Sequence, residues 1–197
     1  MAILILEGVT GSGKSSTVRA LQACAAFKLY DEDATFDDFL TQFWDNPGAA
    51  AGRAVRRFAS ILTEIEKDPS QNCLLERFHF SPIAVGSDLA WYQAINDRCA
   101  ALRCKVAALT IPEEELRLRA LNRKEYCDKD WQFLIARYGS VEASLGVLRA
   151  AQRRRVEAIG ASGLPSLLID TSAMAWDDYA AQIARWAGWV RADDLVG

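Results

Sequence analysis

Short apolar runs recur along the chain, and each of them predicts a buried β-strand. They cover residues 2–6, 27–30, 73–75, 105–111 and 166–170. The runs are nearly all apolar instead of alternating with polar residues, which is typical of strands covered on both faces of a parallel sheet. The pattern therefore predicts an α/β fold built on a parallel sheet.

The segments between these runs repeat apolar residues at three- and four-residue spacing, which predicts helices. The first helix is expected to end near Ala26, and Ser81-Pro82 supplies the N-cap and first residue of a helix that continues to Arg103. Another helix is expected to begin at Pro112, and the others cover 37–44, 53–66, 130–138, 141–159 and 176–190. No repeat or linker interrupts this order, so we expect a single domain over residues 1–197.

Composition and charge narrow the class of protein. The chain of 197 residues is 51% hydrophobic and 25% charged, which is typical of a globular domain, and its net charge of −3 argues against a nucleic-acid polymer as partner. The 5 cysteines are odd in number and form no C-x-x-C pair, which favours reduced thiols in the cytoplasm. The chain leads directly into the first strand and has no apolar run of membrane-spanning length. We therefore expect neither a signal peptide nor a membrane anchor.

A glycine-rich segment joins the first strand to the first helix. Residues Gly8 to Ser15 read GVTGSGKS, which matches the G-x-x-x-x-G-K-[ST] pattern of a phosphate-binding loop, or P-loop. Glycines allow the backbone to approach an anion, which the N–H groups bind at the positive end of the following helix. Lys14 is expected to bridge the terminal phosphates, and Ser15 to hold Mg²⁺. The residues expected to contact nucleotide here are Gly8, Thr10, Gly11, Ser12, Gly13, Lys14, Ser15 and Ser16.

Polar residues follow the other predicted strands, so they are expected to meet the P-loop at one edge of the sheet. Glu76 can hold Mg²⁺ or its water, and Arg77 can bind a phosphate or restrain a carboxylate; the alternative is an ordinary exposed ion pair. The acidic run of Asp31 to Asp33 supplies either a general base for an acceptor hydroxyl or loop residues that keep the protein soluble.

Basic residues cluster after the fourth strand. Arg117, Arg119, Arg123 and Lys124 lie in a segment, about 113–130, that is interpreted as a basic lid over a transferred phosphoryl group. The alternative is a solvated helix face, in which Glu115, Arg119 and Arg123 form ion pairs. The run Arg153-Arg154-Arg155 is interpreted as a solvated helix face, and His79 as a structural residue.

At these residues the chain resembles the P-loop kinases that phosphorylate nucleosides and nucleotides, especially the thymidylate kinase and deoxynucleoside kinase group. The similarity covers the first strand with the P-loop, Glu76-Arg77 with Ser81, the lid arginines, and Ile169 to Ser172. It implies a three-layer α/β/α fold with a five-stranded parallel sheet in the order 2-3-1-4-5 and a basic lid. It also implies ATP and Mg²⁺ as cofactors, and a small-molecule acceptor as partner, with a homodimer as one possible assembly.

The resemblance also implies roles for single residues. Lys14, Glu76, Arg77, Arg119 and Arg123 would be catalytic, with Mg²⁺ held by Ser15 and Glu76. Thr171 would lie in the loop that packs on the adenine of ATP. Asp31 or a neighbour, and Arg77, would bind the acceptor. Apart from the resemblance, most aromatic residues are expected in the core, with Phe78, Phe80, Trp91 and Tyr92 as candidates to line a substrate pocket for a planar ring.

The acceptor half departs from this group's pattern. Val85 and Gly86 stand where thymidylate kinases carry residues that contact the base. Deoxynucleoside kinases usually have a glutamate and a proline after the second strand, whereas this chain has the acidic run of Asp31 to Asp33 and no proline there. The leading interpretation is an ATP-Mg phosphotransferase that acts on a nucleoside or nucleoside monophosphate. The alternatives are a kinase of a non-nucleotide metabolite or antibiotic, and an ATP-binding switch or ATPase. A guanine-binding N-K-x-D or T-K-x-D motif does not occur, which argues against a GTPase.

Overall fold

The sheet has the predicted strands in the predicted order. The computed structural model describes residues 1–36, 39–121 and 135–190. Its five strands are all parallel, in the order β2-β3-β1-β4-β5. They are β1 (Ile3–Gly8), β2 (Lys28–Tyr30), β3 (Cys73–Glu76), β4 (Lys105–Thr110) and β5 (Ser166–Asp170). Each strand therefore lies within its predicted segment or within one or two residues of it, because a short apolar run between polar ends marks a buried strand well.

Helices cover both faces of this sheet. They are α1 (Lys14–Cys24), α2 (Glu32–Phe36), α3 (Phe39–Asp45), α4 (Pro47–Lys67), α5 (Phe80–Ala84), α6 (Gln93–Ala101), α7 (Val141–Ala161) and α8 (Trp176–Ala187). A 3-10 turn, Leu89–Tyr92, precedes α6, and a π-helical turn, Arg117–Leu121, precedes the segment 122–134. Among the described residues, no helix is long and apolar enough to span a membrane.

Alternate residues of the central strand serve opposite layers. Ile3 and Ile5 pack in one core cluster with Phe58 of α4, whereas Leu4 and Leu6 pack in another with Ile183 of α8. Because successive side chains of a strand point to opposite faces, an uninterrupted apolar run fills both layers. The predicted three-layer α/β/α arrangement is confirmed.

The predicted helix from Ser81 to Arg103 is wrong. Helix α5 begins at Phe80 and ends at Ala84, and Gly86 then adopts a left-handed φ of +108°. Ser81 does not cap the helix, because its hydroxyl donates a 2.8 Å hydrogen bond to Glu7 Oε2. The Ser-Pro pair therefore marked the right place, but the hydroxyl serves a long-range contact that local pattern does not reveal.

Other helix boundaries also differ from the prediction. Helix α4 begins at Pro47, since Asn46 Oδ1 accepts the Ala49 amide at 3.0 Å, so the Asn-Pro-Gly cluster starts a helix instead of separating two. The helix expected from Pro112 begins with turns and becomes the π-helical turn. The predicted helix 37–44 corresponds to α3, with 37–38 outside the described residues, whereas the short helix α2 was not predicted. Of the predicted helix 130–138, only 135–138 are described, and these are helical.

Candidate functional site

The P-loop leaves the carboxyl end of β1 in a conformation that requires glycine. Gly11 and Gly13 adopt left-handed φ values of +83° and +88°. A Cβ at Gly11 would clash with the Arg119 carbonyl, and a Cβ at Gly13 would clash with the Trp176 ring. The backbone of the loop thus lies directly against the Arg119 carbonyl and the Trp176 ring, and the Trp176 contact could not be anticipated from the sequence.

Lys14 lies at the base of this loop. Its Nζ donates to the carbonyl oxygens of Gly8 and Val9 at 3.1 and 3.2 Å, and only 6% of the residue is exposed. Burial lowers the pKa of Lys14 to about 7, and the nearby Arg77 charge adds to this effect. Because burial disfavours the charged form of Lys14, an anion bound next to its ammonium group would be favourable.

The hydroxyl groups of the P-loop fall into two classes. Ser15 is exposed at the start of α1, and Thr10 and Ser16 are partly exposed, so each can reach a ligand. Ser12 is fully buried, and its Oγ has no hydrogen-bond partner among the described residues.

Glu76 and Arg77 form the turn that follows β3. Arg77 has a left-handed φ of +54°, which is uncommon for a residue with a side chain, and its amide donates to the Leu6 carbonyl at 3.1 Å. Glu76 is buried, and burial raises the pKa of its carboxyl, against the opposing effect of Lys14. The structure therefore brings Lys14, Glu76 and Arg77 together at the carboxyl edge of the sheet.

The acidic run after β2 divides into different roles. Asp31 Oδ1 accepts the Ala34 amide at 3.0 Å, so Asp31 caps α2. Glu32 instead reaches Arg77, with its Oε2 2.7 Å from Arg77 Nε. Partial burial alone would raise the pKa of Glu32, but Arg77 and Lys14 outweigh it and hold that pKa below the ordinary value. The sequence indicated the cluster but not which of its members faces the P-loop.

Arg119 and Thr171 join the π-helical turn to the loop after β5. Arg119 Nη1 and Nη2 donate to Thr171 O and Oγ1 at 2.8 and 2.9 Å, and the Thr171 hydroxyl donates to Thr110 O at 2.9 Å. The predicted ion pair with Glu115 is present at 3.2 Å, and the guanidinium carbon lies 5.8 Å from the centre of the Trp176 ring. Arg119 is thus buried beside the P-loop, while Arg123 lies outside the described residues.

Phe78 has a different environment from that of an open binding surface. Its ring is fully buried and lies 4.4 Å, centre to centre, from the ring of Phe58. Its backbone amide donates to Glu7 Oε1 at 2.8 Å. The side chain therefore belongs to the core beneath the site.

The interpretation of Arg153-Arg154-Arg155 as a solvated face is wrong for its last member. Arg153 and Arg154 are exposed, but Arg155 is 4% exposed and its Nε donates to Glu7 Oε2 at 2.9 Å. The available signal was Glu7 itself, a charged residue at the end of an apolar strand, because a buried carboxylate requires a partner.

His79 has the structural role that was predicted. It is fully buried, its Nε2 shares a 3.3 Å hydrogen bond with Asn96 Oδ1, and burial lowers its pKa to about 4. The histidine is therefore neutral in the folded protein at pH 5, whereas an unfolded chain would bind a proton there.

This difference predicts acid sensitivity. Because the folded-state pKa lies below the unfolded one, stability is full above the unfolded pKa near 6.5 and is lost as pH falls towards 4. From pH 7 to pH 5, the loss attributable to His79 is about 2 kcal/mol. Urea unfolding of the parent and of His79→Gln at both pH values measures it, since both share the titration of their carboxylates. An equal loss in the two proteins would contradict the prediction.

The residues of the site fit a nucleotide with Mg²⁺. Ser15 and Glu76 offer hydroxyl and carboxylate oxygens, which Mg²⁺ prefers. Within the described ranges, no group of three or more His, Cys, Asp or Glu side chains could hold a metal ion. An ion here would therefore take its remaining ligands from phosphate and water, which is the usual way in which Mg²⁺ binds.

Several solved structures share the fold of the chain. Thymidylate kinase from Candida albicans superimposes with a TM-score of 0.62 at 15% identity, over 95% of this chain and 91% of that one. Deoxyadenosine kinase from M. mycoides, solved with bound dATP, superimposes with a TM-score of 0.62 at 12% identity, over 94% of this chain and 100% of that one. Shikimate kinase from Acinetobacter baumannii, in complex with shikimate, superimposes with a TM-score of 0.58 at 19% identity, over 94% of this chain and 92% of that one.

Comparison at the level of sequence gives no match. No protein-family model matches the chain, and neither does any curated protein sequence. At identities this low, the structural similarity shows the fold and leaves function to the residues of the site. The chain has the fold of the P-loop kinases, as the resemblance implied.

Proposed function

We propose that this protein is an ATP- and magnesium-dependent small-molecule kinase whose acceptor is a nucleoside or a nucleoside monophosphate. The observation that carries the proposal is the meeting of the P-loop, Lys14, Glu76, Arg77 and Glu32 at one edge of the sheet. Phosphoryl transfer needs positive charge at the phosphates, a metal ligand and a residue that orients the acceptor. These residues supply all three.

Each residue has a definite role in this proposal. The P-loop amides and Lys14 bind the triphosphate, and the Lys14 charge stabilises the transition state. Ser15 and Glu76 hold Mg²⁺, which supplies electrostatic stabilisation of the phosphates when bound. Arg119 and Thr171 form the wall beside the P-loop where the donor base would lie. We propose the chain as one kinase domain, with residues 113–130, including Arg119 and Arg123, as its lid.

We assign the acceptor hydroxyl to Glu32 in place of Asp31. Glu32 carries an ionised carboxylate beside Arg77 and Lys14, so it can accept a hydrogen bond or a proton from a hydroxyl group near the γ-phosphate. The Asp31 carboxylate is occupied with the Ala34 amide. Arg77 orients Glu32 and is within reach of the acceptor on the same side.

A kinase of a non-nucleotide hydroxyl compound is the second candidate. The pairing of Arg77 with Glu32 favours it, because a paired guanidinium is less available to bind the phosphate of a monophosphate. The fold is also shared with shikimate kinase. This candidate keeps the same donor site and the same role for Glu32.

A panel of acceptors tests the proposal and separates the two candidates. ADP release from ATP-Mg is measured with nucleosides, nucleoside monophosphates, shikimate, simple sugars, and aminoglycoside and phenicol antibiotics. Stimulation by a nucleoside or a monophosphate supports the first candidate, and stimulation by another hydroxyl compound alone supports the second. ATP binding without stimulation by any acceptor would favour a switch.

The assignment of Glu32 predicts different effects for two neighbouring acids. Glu32→Gln is expected to lower acceptor-stimulated kcat by about 10²-fold, within the range for loss of a general base. Asp31→Asn keeps a side chain that can cap α2, so kcat should remain within about twofold of the parent value. Steady-state kinetics of both variants with the same acceptor measures this. A greater loss in Asp31→Asn than in Glu32→Gln would reverse the assignment.

A further inference from the structure

A buried ion pair joins the last part of β1 to helix α7. Glu7 is fully buried, directly before Gly8 of the P-loop. Its Oε2 accepts Arg155 Nε at 2.9 Å and the Ser81 hydroxyl at 2.8 Å. Its Oε1 accepts the Phe78 amide at 2.8 Å. One carboxylate thus connects α7, the start of α5 and the turn after β3.

This carboxylate holds one side of the left-handed turn at Arg77. The Arg77 amide donates to the Leu6 carbonyl at 3.1 Å, and the next amide, that of Phe78, donates to the side chain of the next residue of β1, Glu7. A residue with a side chain adopts a positive φ only where its surroundings impose it, because that region is sterically unfavourable for L-residues. The two hydrogen bonds to β1 impose the positive φ of Arg77 here. This turn directs the Arg77 side chain towards Glu32.

Arg155 is what keeps the Glu7 carboxylate in place. A buried carboxylate without a cation would tend to take up a proton or move to solvent. Arg155 is itself 4% exposed, its Nη2 lies 3.5 Å from the Ser81 hydroxyl, and its Nη1 has no partner among the described residues. Burial lowers the pKa of Arg155, the Glu7 carboxylate opposes this effect, and the positive charge of Arg77 adds to it.

Stability alone does not explain such a pair. The desolvation of two buried charges often cancels their attraction, and apolar residues of similar size are commonly as stable. The contacts of Glu7 instead supply orientation, because they fix a backbone amide and a hydroxyl next to the candidate site.

We propose that Arg155 is a positioning residue, which through Glu7 holds the Arg77 turn so that Arg77 and Glu76 face the P-loop. The proposal rests on the kinase function proposed above. It concerns neither nucleotide binding nor contact with the acceptor. Loss of Arg155 should therefore lower kcat and leave ATP affinity unchanged.

The test compares Arg155→Met, Glu7→Met and the double variant, because methionine at position 7 removes both the charge and the oxygen that accepts the Phe78 amide. Each single variant leaves one buried charge without its partner, so both should unfold at lower urea concentration than the parent. The double variant removes both charges and should recover much of that stability. Arg154→Met, at an exposed position of the same helix, is the matched control, and Ile183→Ala in the opposite core layer is the control for reduced stability.

Acceptor-stimulated kcat and the ATP dissociation constant are measured where every variant is folded. All three variants at Glu7 and Arg155 should lose about 10–100-fold in kcat, the usual effect of removing an outer supporting contact, with ATP affinity within about twofold. The decisive value is kcat of the double variant, which should stay low although its stability returns. Recovery of kcat together with stability would overturn the proposal, as would a similar kcat loss in Ile183→Ala.

A second measurement separates this proposal from the proposed function. If the parent transfers phosphate to no acceptor, the kinase function fails, and crystal structures of the parent and of Arg155→Met decide the positioning role. The expected result in Arg155→Met is that the backbone of Arg77 leaves the left-handed region and that the ion pair between Arg77 and Glu32 is broken. An unchanged turn in Arg155→Met would overturn the positioning role in an active or an inactive protein.

Discussion

Replacing Lys14 with alanine is expected to lower kcat by about 10²–10³-fold, the usual effect of removing one group that stabilises transition-state charge. The affinity for ATP-Mg should fall less, because the P-loop amides and the start of α1 remain. In the structure, Lys14 is buried, and among the described residues its Nζ donates to the carbonyl oxygens of its own loop. Its charge is therefore available to the phosphates, where it is most valuable as charge develops during transfer.

Single-turnover kinetics with saturating ATP measures this effect. Lys28→Ala is the matched control, because Lys28 pairs with Glu64 away from the P-loop and its loss should leave kcat unchanged. Loss of folding stability should not account for a lower kcat in Lys14→Ala. Burial disfavours the charged form of Lys14, and alanine removes that buried charge. Near-normal turnover of Lys14→Ala would mean that the P-loop does not serve phosphoryl transfer.

Glu76→Gln is expected to lower kcat by about 10²-fold while ATP binding largely persists. Glutamine keeps the size of the side chain and the backbone bond that the Glu76 carbonyl accepts from Thr35, but it removes the negative charge that a metal ion requires. The concentration of Mg²⁺ that gives half-maximal rate should rise. The loss should be confined to the catalysed step, because the nucleotide is held mainly by the P-loop.

The measurement is the rate as a function of Mg²⁺ at saturating ATP. Glu64→Gln, an exposed acid in an ion pair outside the site, is the matched control and should behave as the parent does. An unchanged rate and an unchanged magnesium dependence in Glu76→Gln would remove Glu76 from the site.

Local pattern was enough to predict the frame of the site. An apolar run, a glycine-rich loop ending in Lys14-Ser15 and an amphipathic segment are each short-range features, so the strand, the P-loop and α1 could be predicted together. The sheet order followed from the resemblance to P-loop kinases, and the structure confirms it. The position of Glu76-Arg77 at a strand end also followed, because the carboxyl ends of parallel strands meet at one edge.

Long-range contacts account for what could not be predicted. Arg155 looks like its exposed neighbours in sequence, and only the fold brings it to Glu7. Glu32 and Asp31 are adjacent acids, and their different roles depend on which one is used as the cap of α2. The break after α5 at Gly86 and the contact of Trp176 with Gly13 likewise depend on packing between distant segments.

The most direct test of the central proposal is to follow the γ-phosphoryl group itself. ATP labelled with ¹⁸O at its γ-phosphoryl oxygens is incubated with Mg²⁺, the protein and the acceptor that stimulates ADP release. The masses of the products are then determined by mass spectrometry. The predicted result is an acceptor that carries the labelled phosphoryl group, as an ester on a hydroxyl group or as an anhydride on a monophosphate, formed by the parent but not by Lys14→Ala. Labelled inorganic phosphate as the sole labelled product, with the acceptor unmodified, would contradict a kinase and indicate an ATPase.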